Sequence, residues 1–195
     1  MLWNTFLAVI PFVLSLWLFL GKGSGKRRVS WWIGLVIFVA FLPNAPYVLT
    51  DIKHIVRFIR EGAAIWTITF VLVPQYFIFM LVGTECYVAS LMNMGHYLRK
   101  HNLARWVLPA ELSLHALCAV GIYLGRFPRF NSWDIISNPG GLLAFIGRDL
   151  FKPQPVAVML LTFAGIALLY WPLKQVTQAI VLYWRSPDYR RALRR

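Results

Sequence analysis

The chain has 195 residues, 59% of them hydrophobic and only 14% charged, with a formal net charge of +13. A soluble domain carries about a quarter charged residues, so this composition excludes a water-soluble globular protein and reads as one integral membrane domain over 1–195. The positive charge does not argue for nucleic acid: the basic residues lie just beyond apolar stretches, where Lys and Arg set topology and touch anionic lipid.

Apolar windows long enough for the roughly 30 Å hydrocarbon core fall at 2–20, 31–50, 66–98, 106–125 and 155–176. They predict an all-α, polytopic transmembrane helix bundle of about five spanning helices plus a short interfacial amphipathic helix. The first window lacks a basic segment before it and a small-residue cleavage site after it, so it reads as a span rather than a signal peptide. Its charge follows it, at Lys22, Lys26, Arg27 and Arg28. Five crossings from an outer N-terminus then place Arg99, Lys100, Arg105 and the basic C-terminal tail, counted from Lys174, on the cytoplasmic side. That side collects thirteen of the twenty Lys and Arg residues, as the positive-inside rule requires.

The second window ends in an unusual way. Pro43-Asn44-Ala45-Pro46-Tyr47 is followed by Thr50, Asp51 and His54. On a helix Asn44, Tyr47, Asp51 and His54 share one face. Each proline removes a backbone donor and disfavours helix in the residue before it, so a kink or an unwound turn is expected. Polar and ionisable groups are expensive in hydrocarbon, so such a stripe needs a partner, water or a ligand. For Asn44 there is a bland alternative, in which its amide satisfies a carbonyl freed by the prolines.

The third window is overlong, about 50 Å at 1.5 Å per residue. It is expected to tilt, to kink near Pro74 and to protrude. A hairpin at Gly83-Thr84-Glu85 is the rival reading. In the fourth, Glu111, His115, Cys118, Ile122 and Arg126 line one face, and Gly121 and Gly125 form a small-xxx-small pair that lets another helix approach closely. Cys86 and Cys118 both fall inside spans and read as buried small residues rather than a redox pair. Beyond Arg126, Asn138-Pro139-Gly140-Gly141 is a turn signal. Leu142, Leu143, Ile146 and Leu150 then recur at helical spacing, predicting an interfacial helix that is either a lid over an outer pocket or a plain connector.

Two polar groups emerge. The outer one joins Asn44, Tyr47, Thr50, Asp51 and His54 to Arg126, Arg129, Asn131, Ser132 and Asp134. Asp51 can pair with Arg126 or Arg129 as a structural network, and the two arginines can hold an anionic head group or sugar. Asp51, His54 and Asp134 are an alternative divalent-metal set. The inner group holds Glu85, Asn93 and His96 on the third span with Glu111 and His115 on the fourth. Intramembrane carboxylate and histidine are the material of proton relays, and equally of a neutral Glu hydrogen-bonded between helices. Haem ligation is disfavoured, because His54, His96 and His115 lie at three depths and His101 in a loop. No nucleophile elbow, phosphate loop, zinc-protease motif, paired-cysteine motif or internal repeat occurs, and no cofactor is named.

The segment Leu42–His54, with Gly121-Ile122-Tyr123-Leu124-Gly125-Arg126-Phe127 and Asn131-Ser132-Trp133-Asp134, resembles the bacterial membrane family catalogued as domain of unknown function 1361. The resemblance extends to Trp66 and Ser90-Leu91 and covers about Ser30 to Leu168. It implies a multi-pass protein of the bacterial cytoplasmic membrane and brings no catalytic residues. Glu85 and Glu111 fall outside its motifs.

Three functions are therefore expected to compete. The first is a binding or accessory role, the outer pocket holding a lipid head group, an exported small molecule or a membrane partner. The second is an enzyme on a lipid-linked substrate at the outer leaflet, with Asp51 or Asp134 as general base, His54 as proton carrier and Arg126 and Arg129 as anion clamp. The third is a proton-coupled transporter using Glu85 and His115.

Overall fold

Among the described residues five helical stretches are long and apolar enough to cross a bilayer, and each coincides with a window read from the sequence. The computed structural model describes residues 2–21, 29–62, 64–130 and 134–185. Among them there is no strand. The first span is α1 (Leu2–Leu20). The second is composite: α2 (Val29–Phe41), a single turn α3 (Asn44–Tyr47), a 3-10 stretch Val48–Ile52 and α4 (Lys53–Arg60). The third joins α5 (Ile65–Thr67), a π-turn Ile68–Leu72 and α6 (Val73–Lys100). The fourth is α7 (Val107–Arg126), and α8 (Asp134–Ser137) and α9 (Pro139–Phe145) lead to the fifth, α10 (Pro153–Arg185).

Several boundaries differ from expectation for local reasons. The second span runs to Arg60, ten residues past its apolar window, because α4 continues the helical path beyond the prolines. The third span is continuous through Gly83-Thr84-Glu85, which excludes the hairpin. Its irregularity falls just before Pro74, where the Val73 N–H reaches back to the Ile68 carbonyl. Pro74 opens α6 directly after this π-turn, and its missing N–H leaves a carbonyl of the preceding turn without its ladder donor.

The expected interfacial helix is present as α9, continued by a π-turn, Ile146–Leu150. Its start follows from the turn signal: the Asn138 side chain accepts from the Gly141 N–H at 3.1 Å, and Pro139 opens the helix.

α1 packs against α6, α2 and α3, and α7 packs against α10, α6 and α3, so α6 is shared by both halves of the bundle. The core between them includes Phe38, Leu42, Val48, Tyr87 and Leu91, all essentially inaccessible. Phe19 meets the Phe38 ring edge-on at 5.3 Å. Outside this core the helices expose large apolar side chains all round, among them Phe6, Trp32, Val36, Phe70, Leu161 and Trp184. No water-soluble monomer presents such a surface, whereas lipid accommodates it. The chain is a multi-pass membrane protein.

Candidate functional site

The break in the second span builds the site. Pro43 and Pro46 lack an N–H, and the Ala45 N–H bonds Leu42 O at 3.1 Å, three residues back instead of four. The Phe41 carbonyl thereby loses its helical donor, and the Asn44 side chain supplies one, Nδ2 to O at 3.0 Å. Asn44 thus serves its own backbone, as the bland reading had it. Thr50 does likewise, donating to Tyr47 O at 2.6 Å.

Small residues on the neighbouring spans admit this segment. A Cβ built on Gly121 would lie 2.7 Å from Pro43, one on Gly125 3.3 Å from the Tyr47 ring, and one on Gly83 3.0 Å from Val48. The expected close approach to Gly121 and Gly125 is therefore made by Pro43 and α3.

Asp51, in the same polar stripe, is 2% exposed. Asn4 of α1 donates Nδ2 to its Oδ2 at 2.8 Å, and Arg126 of α7 brings Nη1 to 3.9 Å from its Oδ1. Arg126 also donates to the Thr50 carbonyl and to the Tyr47 hydroxyl, the latter at 3.4 Å, with its guanidinium carbon 5.3 Å from the centre of the Tyr47 ring. One carboxylate and one guanidinium, each hydrogen-bonded as well as paired, tie α1, the second span and α7 together at one end of the bundle. Such pairing is what permits charges to be buried at all.

Beside this group lies a cavity of about 650 Å³ between α1, α2, α3 and α7. Leu35, Val39, Ala40, Leu117, Val120 and Leu124 give it apolar walls. Asn4, Asn44 and Tyr47 face it at one end, where Phe130, just after α7, and Leu142 of α9 complete the lining. The second span meets α7 through α3 and Pro43, so α2 stands off from α7 and the gap between them is the cleft. Neither Asp51 nor Arg126 lines it; they stand behind Asn4 and Tyr47.

The model of the family described as "Protein of unknown function (DUF1361)" matches residues 3–168. The chain belongs to this family. No curated protein and no solved structure matches it. The matched region takes in the whole DUF1361 cleft and both ends of the Asp51–Arg126 pair, and stops short of Tyr170 and Lys174.

The other residues singled out from the sequence are distributed unevenly. Arg129 has a positive φ of 64° and an exposed side chain, and it does not line the cleft. Asp134 accepts from Ser137 at 3.0 Å in the first turn of α8. Asn131, Ser132 and the His54 side chain lie outside the described residues. Among the described residues no three His, Cys, Asp or Glu side chains gather as metal ligands. Asn4 was missed, since a lone asparagine near the start of an apolar span carries no spacing signal.

The second polar group is divided. Glu111 Oε1 accepts from Lys174 Nζ at 2.6 Å and from the Tyr170 hydroxyl at 2.8 Å, both on α10. His115 Nδ1 meets the Tyr87 hydroxyl at 2.6 Å, and its ring packs 4.7 Å from that of Tyr170. Glu85 accepts from Thr177 at 2.9 Å, Asn93 donates to Ser15 at 3.0 Å, and His96 is exposed. Glu85 and His115 are thus held by different partners. Lys174, the first of the basic C-terminal residues, lies within α10 and neutralises Glu111.

Proposed function

We propose that this protein works by binding, its cleft receiving the polar end of a lipid or of an exported small molecule. The observation that carries this reading is the cleft itself: apolar walls ended by Asn4, Asn44 and Tyr47, in the form typical of small-molecule sites. The Asp51–Arg126 pair fixes two of these groups, holding Asn4 from one side and Tyr47 from the other. We place this end at the outer face of a bacterial cytoplasmic membrane, with the C-terminus inside, on the distribution of Lys and Arg.

The rival functions gain less. A general base must reach its substrate, and Asp51 is buried between Asn4 and Arg126. A proton relay through Glu85 and His115 needs a connection, and each is bonded to a different residue.

Native mass spectrometry of the protein in mild detergent tests the reading, comparing the parent with Asp51→Asn and Arg126→Ala, each checked for native helicity. A bound molecule retained by the parent and lost from both folded variants is the expected result. Equal adducts in all three, or none, would reduce the polar group to a structural brace. Impermeant thiol labelling of single cysteines at Gly62 and Asn102, in a background without Cys86 and Cys118, tests the orientation. Only the Gly62 site should react in intact cells.

A further inference from the structure

We infer that the occupant is a single-chain amphiphile with an uncharged, hydroxyl-bearing head, reaching the cleft sideways from the bilayer. The inference rests on the reading of the cleft as a ligand site and names the ligand class.

The length of the apolar wall supplies the chain. Trp32, Leu35, Val36, Val39, Ala40 and Pro43 fall at i, i+3, i+4, i+7, i+8 and i+11, one face of the second span, and all line the cavity. From Trp32 to Asn44 the helical rise is about 18 Å, slightly more than one leaflet's share, about 15 Å, of the hydrocarbon core. A tail laid against this furrow with its head at Asn44 would run about 18 Å towards the cytoplasmic end of the second span. The mouth faces lipid: Trp32, Val36 and Leu117 line the cavity and are 53%, 69% and 40% exposed. A bilayer amphiphile therefore needs no aqueous path.

The polar end decides the head. Its wall presents two carboxamides and a phenol, from Asn4, Asn44 and Tyr47, all electrically neutral. The charges nearby face each other behind that wall, and the guanidinium is engaged with Thr50 O, the Tyr47 hydroxyl and Asp51. An anionic head would enter a low-dielectric site with no cation among the described residues of its wall, which is costly. A glycerol-like or sugar-like hydroxyl matches amide and phenol groups that both donate and accept.

The test uses the full chain in phosphatidylcholine nanodiscs and a monoacylglycerol carrying a photoreactive diazirine in its chain. Labelled peptides are mapped by mass spectrometry. Labelling should concentrate on the α2 and α7 segments that flank the furrow. Excess 1-oleoylglycerol should suppress it at least tenfold, and glycerol or 1-oleoyl-lysophosphatidylglycerol should not. Val36→Trp at the exposed mouth and Ala40→Trp within it should each abolish focused labelling.

Competition by the lysophosphatidylglycerol equal to that by 1-oleoylglycerol would overturn the neutral head while leaving the cleft a ligand site. Competition by glycerol alone would overturn the need for a chain. Labelling spread over all spans, unaffected by competitors and by both variants, would remove the cleft as a ligand site and this inference with it.

Discussion

Asp51 and Arg126 come from different spans and meet with Oδ1 and Nη1 3.9 Å apart, the carboxylate being almost inaccessible and the guanidinium mostly so. Removing one partner strands the other charge inside the bundle. Asp51→Ala should therefore destabilise the protein by about 3–5 kcal/mol, and the double variant Asp51→Asn with Arg126→Gln by less than the sum of its single changes. Reversible unfolding in mixed detergent micelles measures both. Additive losses would show that the two side chains are not coupled.

A second ion pair fixes α10 to α7. Lys174→Met leaves Glu111 buried with only the Tyr170 hydroxyl among the partners described above, and should also cost about 3–5 kcal/mol. Glu111→Gln added to Lys174→Met should recover most of that loss, because an amide needs no counter-charge. A double variant as unstable as Lys174→Met would point to lost packing of the lysine stem instead.

Close backbone approach makes a graded prediction along the glycines. Gly121→Ala drives a methyl to 2.7 Å from the rigid Pro43 ring and should cost about 1–3 kcal/mol. Gly125→Ala meets the Tyr47 ring at 3.3 Å, where a small rotation relieves it, so the loss should be smaller. Gly165→Ala meets nothing within 4 Å and should stabilise α10 by up to about 1 kcal/mol. Thermal unfolding of the three variants gives the order directly, and a Gly165→Ala protein less stable than Gly121→Ala would contradict it.

Outside the spans, Asp149 gives a pH prediction. The hydrogen bond from Lys152 at 2.6 Å, aided by Arg148, holds its carboxyl below the usual carboxylate range. A depressed folded-state value stabilises the charged form above the ordinary carboxylate pKa, and that contribution disappears as pH falls through the lowered value. Lys152→Ala should move the Asp149 titration upward. Carbon-detected NMR of the carboxyl group reads this, and an unmoved midpoint would deny the lysine its role.

Much of the site was legible locally. Pro43, Pro46 and the polar residues after them marked the broken segment, and Gly121 with Gly125 announced a close approach. The 3–4 spacing of Glu111, His115, Cys118, Ile122 and Arg126 described a face of α7 that is buried or nearly so throughout. Less legible was which partner each group would choose. Asn44 lines the cleft and also gives its amide to Phe41 O, and Lys174 looked like a topology signal and pairs with Glu111.

Taken alone, the sequence determined five spans, the helical class and the position of the break. These depend on hydropathy over about 20 residues and on proline's missing N–H, both properties of neighbouring residues in the chain. Tertiary structure alone decided that Asn4 completes the Asp51 pair, that Arg126 stands behind the wall and not in it, and that α2 parts from α7 to leave a cleft. Those outcomes depend on how the Pro43–Gly121 contact spaces two helices, a distance between segments that no local pattern encodes.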